Sequence, residues 1–91
     1  MNQTNPRRRP GIVVKSIGGE TLLYHVERKT IHVLNPTARC IWDLCDGGHA
    51  VDDIARAIRA RFAVAGEADL AGDIQQTLDV FAGNGLLQIQ Q

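Results

Sequence analysis

The segment from Val33 to Trp42, with the sequence VLNPTARCIW, constrains the fold more than any other part of this chain. Just before and at its start, Ile31 and Val33 alternate with polar neighbours, which is typical of a half-buried strand. Asn35 is a good helix N-cap, and Pro36 suits the first turn of a helix. The chain is therefore predicted to change from sheet to helix at Asn35, with a β half before that residue and a helical half after it.

Three strands are predicted before this junction, over residues 12–17, 20–26 and 30–34. Gly18 and Gly19 accept the positive φ angles of a tight two-residue turn, so the first two strands are expected to form a hairpin. The charged segment 27–29 lacks the Gly, Asn or Asp residues that a two-residue turn prefers, so a four-residue loop is favoured before the third strand. Together these segments predict a three-stranded antiparallel sheet.

The alternation of side chains predicts which face of this sheet is buried. If Val26 pairs with Ile31, and Tyr24 with Val33, one face is apolar and is the predicted core face. It carries Leu22, Tyr24, Val26, Ile31 and Val33. His25 and His32 then lie opposite one another on the other face. Because two histidines without a third ligand make a poor metal site, they are interpreted as solvent-facing or groove-lining side chains.

Apolar residues at helical spacing predict three helices after the junction, over residues 36–45, 51–62 and 67–82. Residues 86–89 are expected to form a short closing strand or a packed tail. Residues 1–10 contain nothing to bury and are predicted to be a flexible arm, with residues 11–91 forming a single domain. The predicted fold is α+β, a three-stranded antiparallel sheet followed by three helices, as in a winged helix-turn-helix.

The charges are distributed unevenly although the formal net charge is zero. Residues 1–34 hold six basic and two acidic side chains, whereas residues 35–91 hold four basic and eight acidic ones. No Lys or Arg follows Arg61, so the third helix would repel a nucleic acid instead of binding it. No run approaches the roughly 18 apolar residues of a membrane span, and the polar start is unlike a secretory signal. The sequence predicts a cytoplasmic protein that binds neither nucleic acid nor membrane.

The sequence carries no recognisable set of catalytic groups. A glycine-rich phosphate loop, a nucleophile elbow and a His-Glu metal helix are all missing from it. Cys40 and Cys45 project in different directions from the first helix and are interpreted as free thiols. The chain is predicted not to be an enzyme and to need no cofactor or metal.

Eight short segments of the chain form a recognisable series. They are Tyr24-His25-Val26, Ile31 to Asn35, Ile41-Trp42, Asp46-Gly47, Asp52 to Ala55, Phe62, Asp73 and Gly85-Leu86-Leu87. This series resembles the PqqD family, over about residues 12–88. Members of that family are peptide-recognition domains, found alone or fused to enzymes that modify ribosomally made peptides.

The resemblance implies a non-catalytic peptide chaperone. Such a domain holds the leader segment of a precursor peptide as an added strand beside its third strand, and in a groove along its third helix. It presents that peptide to a modifying enzyme such as a radical S-adenosylmethionine maturase, as in the biosynthesis of pyrroloquinoline quinone (PQQ). Carried onto this chain, the peptide-binding residues are Thr30, Ile31, His32, Val33, Leu34, Asp73, Gln76, Thr77 and Val80.

Helical geometry independently groups part of this set. At 100° per residue, Asp73, Gln76 and Val80 share one shoulder of the third helix, with Thr77 at the edge of its apolar arc. Two alternatives stay open from the residues alone. One is a DNA-binding winged helix, and the other is a structural subunit whose edge strand closes a homodimer.

Overall fold

The fold consists of a three-stranded antiparallel sheet followed by three helices, so the predicted α+β class is confirmed. The structure is a computed structural model and describes residues 5–62 and 70–88. The strands are β1 (Ile12–Ile17), β2 (Glu20–His25) and β3 (Thr30–Leu34), and the helices are α1 (Pro36–Asp43), α2 (Val51–Arg61) and α3 (Leu70–Gly83). The strand order is β1-β2-β3, which leaves β3 at one edge of the sheet.

The predicted elements are all present, with small differences at their ends. β2 stops one residue earlier than predicted, and α1 ends at Asp43 instead of Cys45. The predicted start of α3 at Glu67 lies outside the described residues. None of the helices within residues 5–62 and 70–88 is long and apolar enough to cross a bilayer.

The junction between sheet and helix forms as the sequence predicts. Asn35 is the N-cap of α1, and its side-chain oxygen accepts a hydrogen bond from the Ala38 backbone N–H at 2.8 Å. Pro36 occupies the first turn, where no intrahelical N–H bond is needed. β3 therefore leads into α1 through Asn35 alone, so the end of the strand lies next to the first turn of the helix.

The predicted core face of the sheet is wrong. Tyr24 pairs with Ile31 and Leu22 with Val33, two positions away from the predicted register. This apolar face points away from the helices, with Ile31 63% and Val33 58% exposed. The buried face carries Thr21, Leu23 and His25 from β2, and Leu34 from β3.

The register follows from the loop between β2 and β3. Four residues, Val26 to Lys29, separate the paired residues His25 and Thr30, and the Lys29 N–H donates to the His25 carbonyl at 2.7 Å. His25 therefore pairs with Thr30 and His32 with Leu23, so the two histidines do not lie opposite one another. His25 is buried, which corrects its interpretation as a solvent-facing or groove-lining side chain. Its Nδ1 accepts a hydrogen bond from the Arg28 N–H at 3.2 Å.

The hydrophobic core lies between the inner face of the sheet and the three helices. Trp42 of α1 packs edge-to-face on Phe81 of α3, with ring centroids 5.7 Å apart. Trp42 is almost completely buried and is a core residue. The buried stripe of α3 consists of Leu70, Ile74, Leu78 and Phe81. Because that stripe faces inward, the adjacent shoulder of α3 is left at the surface.

Residues 5–10, part of the segment predicted to be a flexible arm, run between the α1–α2 connection and the C-terminal segment. The Arg8 N–H donates to the Cys45 carbonyl at 2.7 Å, and the Arg9 N–H donates to the Leu86 carbonyl at 2.9 Å. On the other side, Gln88 donates to the Arg7 carbonyl at 2.8 Å. These bonds tie both ends of the described chain to the helical half.

Candidate functional site

The candidate site begins at the open edge of β3. Within the described residues β3 pairs with β2 alone, so its other side presents backbone N–H and C=O groups without a strand partner. Such an edge can accept a further strand. Since β3 is held by β2 on one side and by the cap at Asn35 at its end, this edge is rigid and ready for pairing.

A groove of about 440 Å³ lies beside the end of this edge, between the β3–α1 junction and α3. Its lining residues are Val33, Leu34, Ala38, Asp73, Gln76, Thr77, Val80 and Phe81. The volume suits one or two side chains of a peptide. The groove and the β3 edge are therefore adjacent parts of one surface.

The wall that α3 contributes to this groove is the shoulder next to its buried stripe. Asp73, Gln76, Thr77 and Val80 are three, one and three residues apart, so they follow one side of the helix. Val80 is 55% exposed although it is apolar, because the packed stripe lies to one side of it. An exposed apolar residue among hydrogen-bonding side chains is a surface suited to a partner that is itself partly apolar.

The polar groups of the groove differ in how much hydrogen-bonding capacity and charge remain available to a ligand. Thr77 Oγ1 donates to the Asp73 backbone carbonyl at 3.0 Å, so its hydroxyl hydrogen is already used within the helix. The Asp73 carboxylate is at the surface, and no salt bridge or hydrogen bond of the described residues involves it. The groove thus combines an apolar floor with one available negative charge.

The structure brings together six of the nine residues predicted to bind a peptide. Val33, Leu34, Asp73, Gln76, Thr77 and Val80 all line the groove. Thr30, Ile31 and His32 lie further along β3, outside the groove, with Thr30 Oγ1 3.1 Å from His32 Nε2. Their suggested contact with a peptide would be through the strand edge, and the peptide-binding role of all nine stays a prediction.

The sequence reasoning missed two groove residues, Ala38 and Phe81. Phe81 belongs to the buried stripe of α3, and it also lines the groove. Ala38 lies in the first turn of α1, directly after the strand edge. The sequence does carry a signal for Ala38. The cap at Asn35 brings the first turn of α1 close to the end of β3, and Ala38 lies in that turn.

Elsewhere in the described residues, the titratable groups do not gather into a reactive centre. No three His, Cys, Asp or Glu side chains within residues 5–62 and 70–88 lie close enough to hold a metal ion. Burial raises the pKa of the Cys45 thiol to about 12, so this thiol is protonated and a poor nucleophile at neutral pH. The Asp46 carboxylate accepts the Gly48 N–H and contacts His49, and both contacts lower its pKa.

Comparisons with known proteins match both the sequence and the fold. The sequence model of the family described as "Coenzyme PQQ synthesis protein D (PqqD)" matches residues 20–87. Two solved structures are similar to this chain. One is described as TbiB1 in complex with the TbiA(beta) leader peptide, with a TM-score of 0.78, 25% identity, and coverage of 93% of this chain and 98% of that one.

The other is described as lasso peptide synthetase B1 complexed with the leader peptide. It has the same TM-score of 0.78 and identity of 25%, over 93% of this chain and 99% of that chain. A comparison with curated protein sequences finds no match. The similarity to both solved structures therefore extends over nearly the whole of each chain.

Proposed function

Since this chain belongs to the PqqD family, we propose that it binds the leader segment of a ribosomally synthesised precursor peptide and presents it to a modifying enzyme. The observation that carries the proposal is the open edge of β3 beside the groove of α3, in a fold shared with two proteins solved with a leader peptide. In the proposed complex, the leader forms a fourth strand next to Thr30–Leu34.

Binding affinity in this proposal comes mainly from the backbone of the peptide. An added strand pairs its N–H and C=O groups with the free groups of β3, whatever its sequence. Selectivity comes from side chains that enter the groove and contact Asp73, Gln76, Thr77 and Val80. This division of roles explains how a small domain with an open groove could hold an extended peptide.

The chain itself is proposed to take no part in the chemistry. Among its described lining residues, the groove holds one carboxylate and no second titratable group, whereas acid-base catalysis needs a base and an acid that converge on a reacting atom. The modifying enzyme, for example a radical S-adenosylmethionine maturase, would supply the reaction and any cofactor. The proposed setting is the cytoplasm, where ribosomes make the precursor.

Nucleic-acid binding has less support. α3 would have to approach phosphates, and its 14 residues include Asp73 and Asp79 but no Lys or Arg. A homodimer closed through β3 is the remaining alternative. Sedimentation at decreasing concentration separates it from a monomeric peptide binder, because only a dimer would dissociate on dilution.

The proposal is tested by titrating the ¹⁵N-labelled chain with synthetic leader segments of short, precursor-like reading frames from the neighbourhood of its gene. We expect the amide signals of residues 30–34 and 73–80 to shift, while those of α2 stay in place. A scrambled peptide of the same composition is the control, since it retains charge and hydrophobicity but not order. If the native leader leaves both segments unmoved, the proposed site is wrong.

A further inference from the structure

Asp73 provides the only charge among the described residues that line the groove, and no cation neutralises it. The salt bridges in residues 5–62 and 70–88 all involve other carboxylates. They are Arg9–Glu27, Arg39–Asp43, His49–Asp46 and Arg56–Asp53. A negative charge therefore faces the open groove.

The basic residue next to the groove in sequence is already occupied. Arg39 follows the groove residue Ala38, but its Nε donates to the Asp43 carboxylate at 2.9 Å. Its Nη1 donates to the hydroxyl of Thr21 at 3.1 Å. Four contacts, counting Ser16 and the second Asp43 oxygen, hold this guanidinium on the sheet side of α1. Since no salt bridge among the described residues uses the Asp73 carboxylate, this carboxylate is available to a cation of a bound partner.

The rest of the groove is mainly apolar. Val33, Leu34, Ala38, Val80 and Phe81 supply hydrocarbon surface, while Gln76 and Thr77 are uncharged. An aliphatic or aromatic side chain placed there removes this surface from water, which favours its binding. The groove thus offers two distinct contacts, one for a cation and one for an apolar group.

The separation of these two contacts sets a spacing in the peptide. Asp73 and Val80 are seven residues apart in α3, which corresponds to about 10 Å along the helix axis. If the peptide runs alongside α3, as the family resemblance implies, an extended chain covers that distance in about three residues, and its side chains point to the same side at every second residue. With the reach of a long basic side chain, the two peptide residues stand two or four positions apart.

We infer that the groove selects leader segments in which a lysine or arginine stands two or four positions from an aliphatic or aromatic residue. The inference deepens the proposed function and rests on it, because it assumes that an extended peptide occupies the β3 edge. The basic side chain pairs with Asp73, and the apolar side chain packs near Val80. A leader with an acidic residue at the basic position meets like charge and is rejected.

The test is selection from an mRNA-displayed library of random peptides roughly twice the length of β3. Selection is performed against the full chain and, in parallel, against D73N, D73K and D79N. Asp79 is a matched control, since it is an exposed aspartate of the same helix that accepts a hydrogen bond from Gln75 and does not line the groove. Circular dichroism establishes that each variant keeps the helical content of the parent chain.

We expect peptides selected by the parent chain and by D79N to be enriched in Lys or Arg at the stated spacing from an apolar residue. D73N should lose this enrichment and bind a selected peptide about two- to fivefold more weakly, the range measured for solvent-accessible ion pairs. D73K should instead enrich Asp or Glu at the same position. Reversal of the preferred charge is a result that general destabilisation of the fold would not produce.

Two negative results are distinguishable. If selected peptides shift the amides of residues 30–34 and 73–80 but show no charge preference, the inference about Asp73 is wrong and the proposed function stands. If neither selected peptides nor the precursor leader shift these amides, the proposed function fails and the inference fails with it.

Discussion

Arg8 donates a hydrogen bond from its guanidinium group to the backbone carbonyl of Trp42 at 2.9 Å. The same nitrogen donates to the Asp43 carbonyl at 2.7 Å, and the guanidinium carbon lies 6.0 Å from the centre of the Trp42 ring. The Trp42 carbonyl also accepts the Cys45 N–H at 3.1 Å, and a cation at the end of a helix adds further bonds to its last carbonyls and complements the helix dipole. The N-terminal segment thus completes the end of α1.

The first prediction concerns this arginine. Replacing Arg8 by Met keeps the side-chain length but removes both donors, and we expect a loss of about 1 to 2 kcal/mol in the free energy of unfolding. Arg9→Met is the control, because Arg9 pairs with Glu27 at the surface and should cost less than about 0.5 kcal/mol. Urea denaturation of the two variants measures the difference. Equal costs would contradict a special role for Arg8.

The second prediction tests which face of the sheet is buried. Leu23→Ala should lower the free energy of unfolding by about 2 to 4 kcal/mol, because Leu23 is fully buried and the truncation leaves a cavity. Leu22→Ala, one residue away on the outer face, should cost less than about 1 kcal/mol. Denaturation curves of both variants provide the measurement. A larger cost for Leu22 would mean that the helices cover the opposite face.

The third prediction tests the groove. Val80→Asp should weaken binding of the leader roughly tenfold or more, because it removes apolar contact area and places a second carboxylate in the groove, where the apolar side chain of the leader would pack. Val13→Asp is the control, since Val13 on β1 is 52% exposed and Val80 is 55% exposed. Fluorescence anisotropy with a labelled leader gives both affinities. Similar losses in the two variants would place the peptide elsewhere.

The fourth prediction follows from the Cys45 thiol, whose pKa burial raises from 9.0 to about 12. The folded state holds this proton more tightly than the unfolded state, so the contribution to stability is fully present below pH 9 and is lost as the pH rises toward 12. A difference of three pKa units corresponds to a loss on the order of 4 kcal/mol across that window. Cys45→Ala should flatten this part of the curve of unfolding free energy against pH.

A slope that is identical in the parent chain and in Cys45→Ala would contradict that assignment. The difference between the two slopes is the relevant quantity, because all other titratable groups are common to both proteins. Alkylation gives a second readout. At pH 8 the folded chain should react with iodoacetamide at Cys45 only as fast as it opens.

The fifth prediction concerns Gly47, whose φ of 84° favours glycine. A Cβ atom at this position would also collide with the guanidinium of Arg7. Gly47→Ala should therefore destabilise the fold by about 1 to 3 kcal/mol. Gly19→Ala is the control, because Gly19 lacks a positive φ and a Cβ there meets no atom within 4 Å. Thermal unfolding of both variants distinguishes the two positions, and equal midpoints would argue against the constraint at Gly47.

The parts of the fold that the sequence predicted correctly depend on short-range chemistry. The cap at Asn35, the proline in the first turn of α1 and the apolar stripe of α3 each involve residues within one or two turns of one another. The shoulder formed by Asp73, Gln76 and Val80 follows from helical geometry alone, and these three residues do line one groove.

The buried face of the sheet was not predictable in the same way. Apolar side chains occur on both faces of β2, since Leu22 and Leu23 are adjacent. Alternation identifies the two sets but does not indicate which set the helices will cover. The register between β2 and β3 also differs from the predicted one by two residues, so the cross-strand neighbours differ as well. The contacts of Arg8 were missed for a related reason, because they join residues 34 and 35 positions apart.

The groove draws its walls from distant parts of the chain, Val33 and Leu34 on one side and Asp73 to Phe81 on the other. The groove exists only when both walls are brought together, so the unfolded chain does not contain the binding site. A ligand of this groove therefore binds the native state alone and stabilises it against unfolding. At a concentration 100 times its dissociation constant, it would add about 2.7 kcal/mol to the stability of the native state. The melting temperature of this small domain thus becomes a direct gauge of how much peptide it holds.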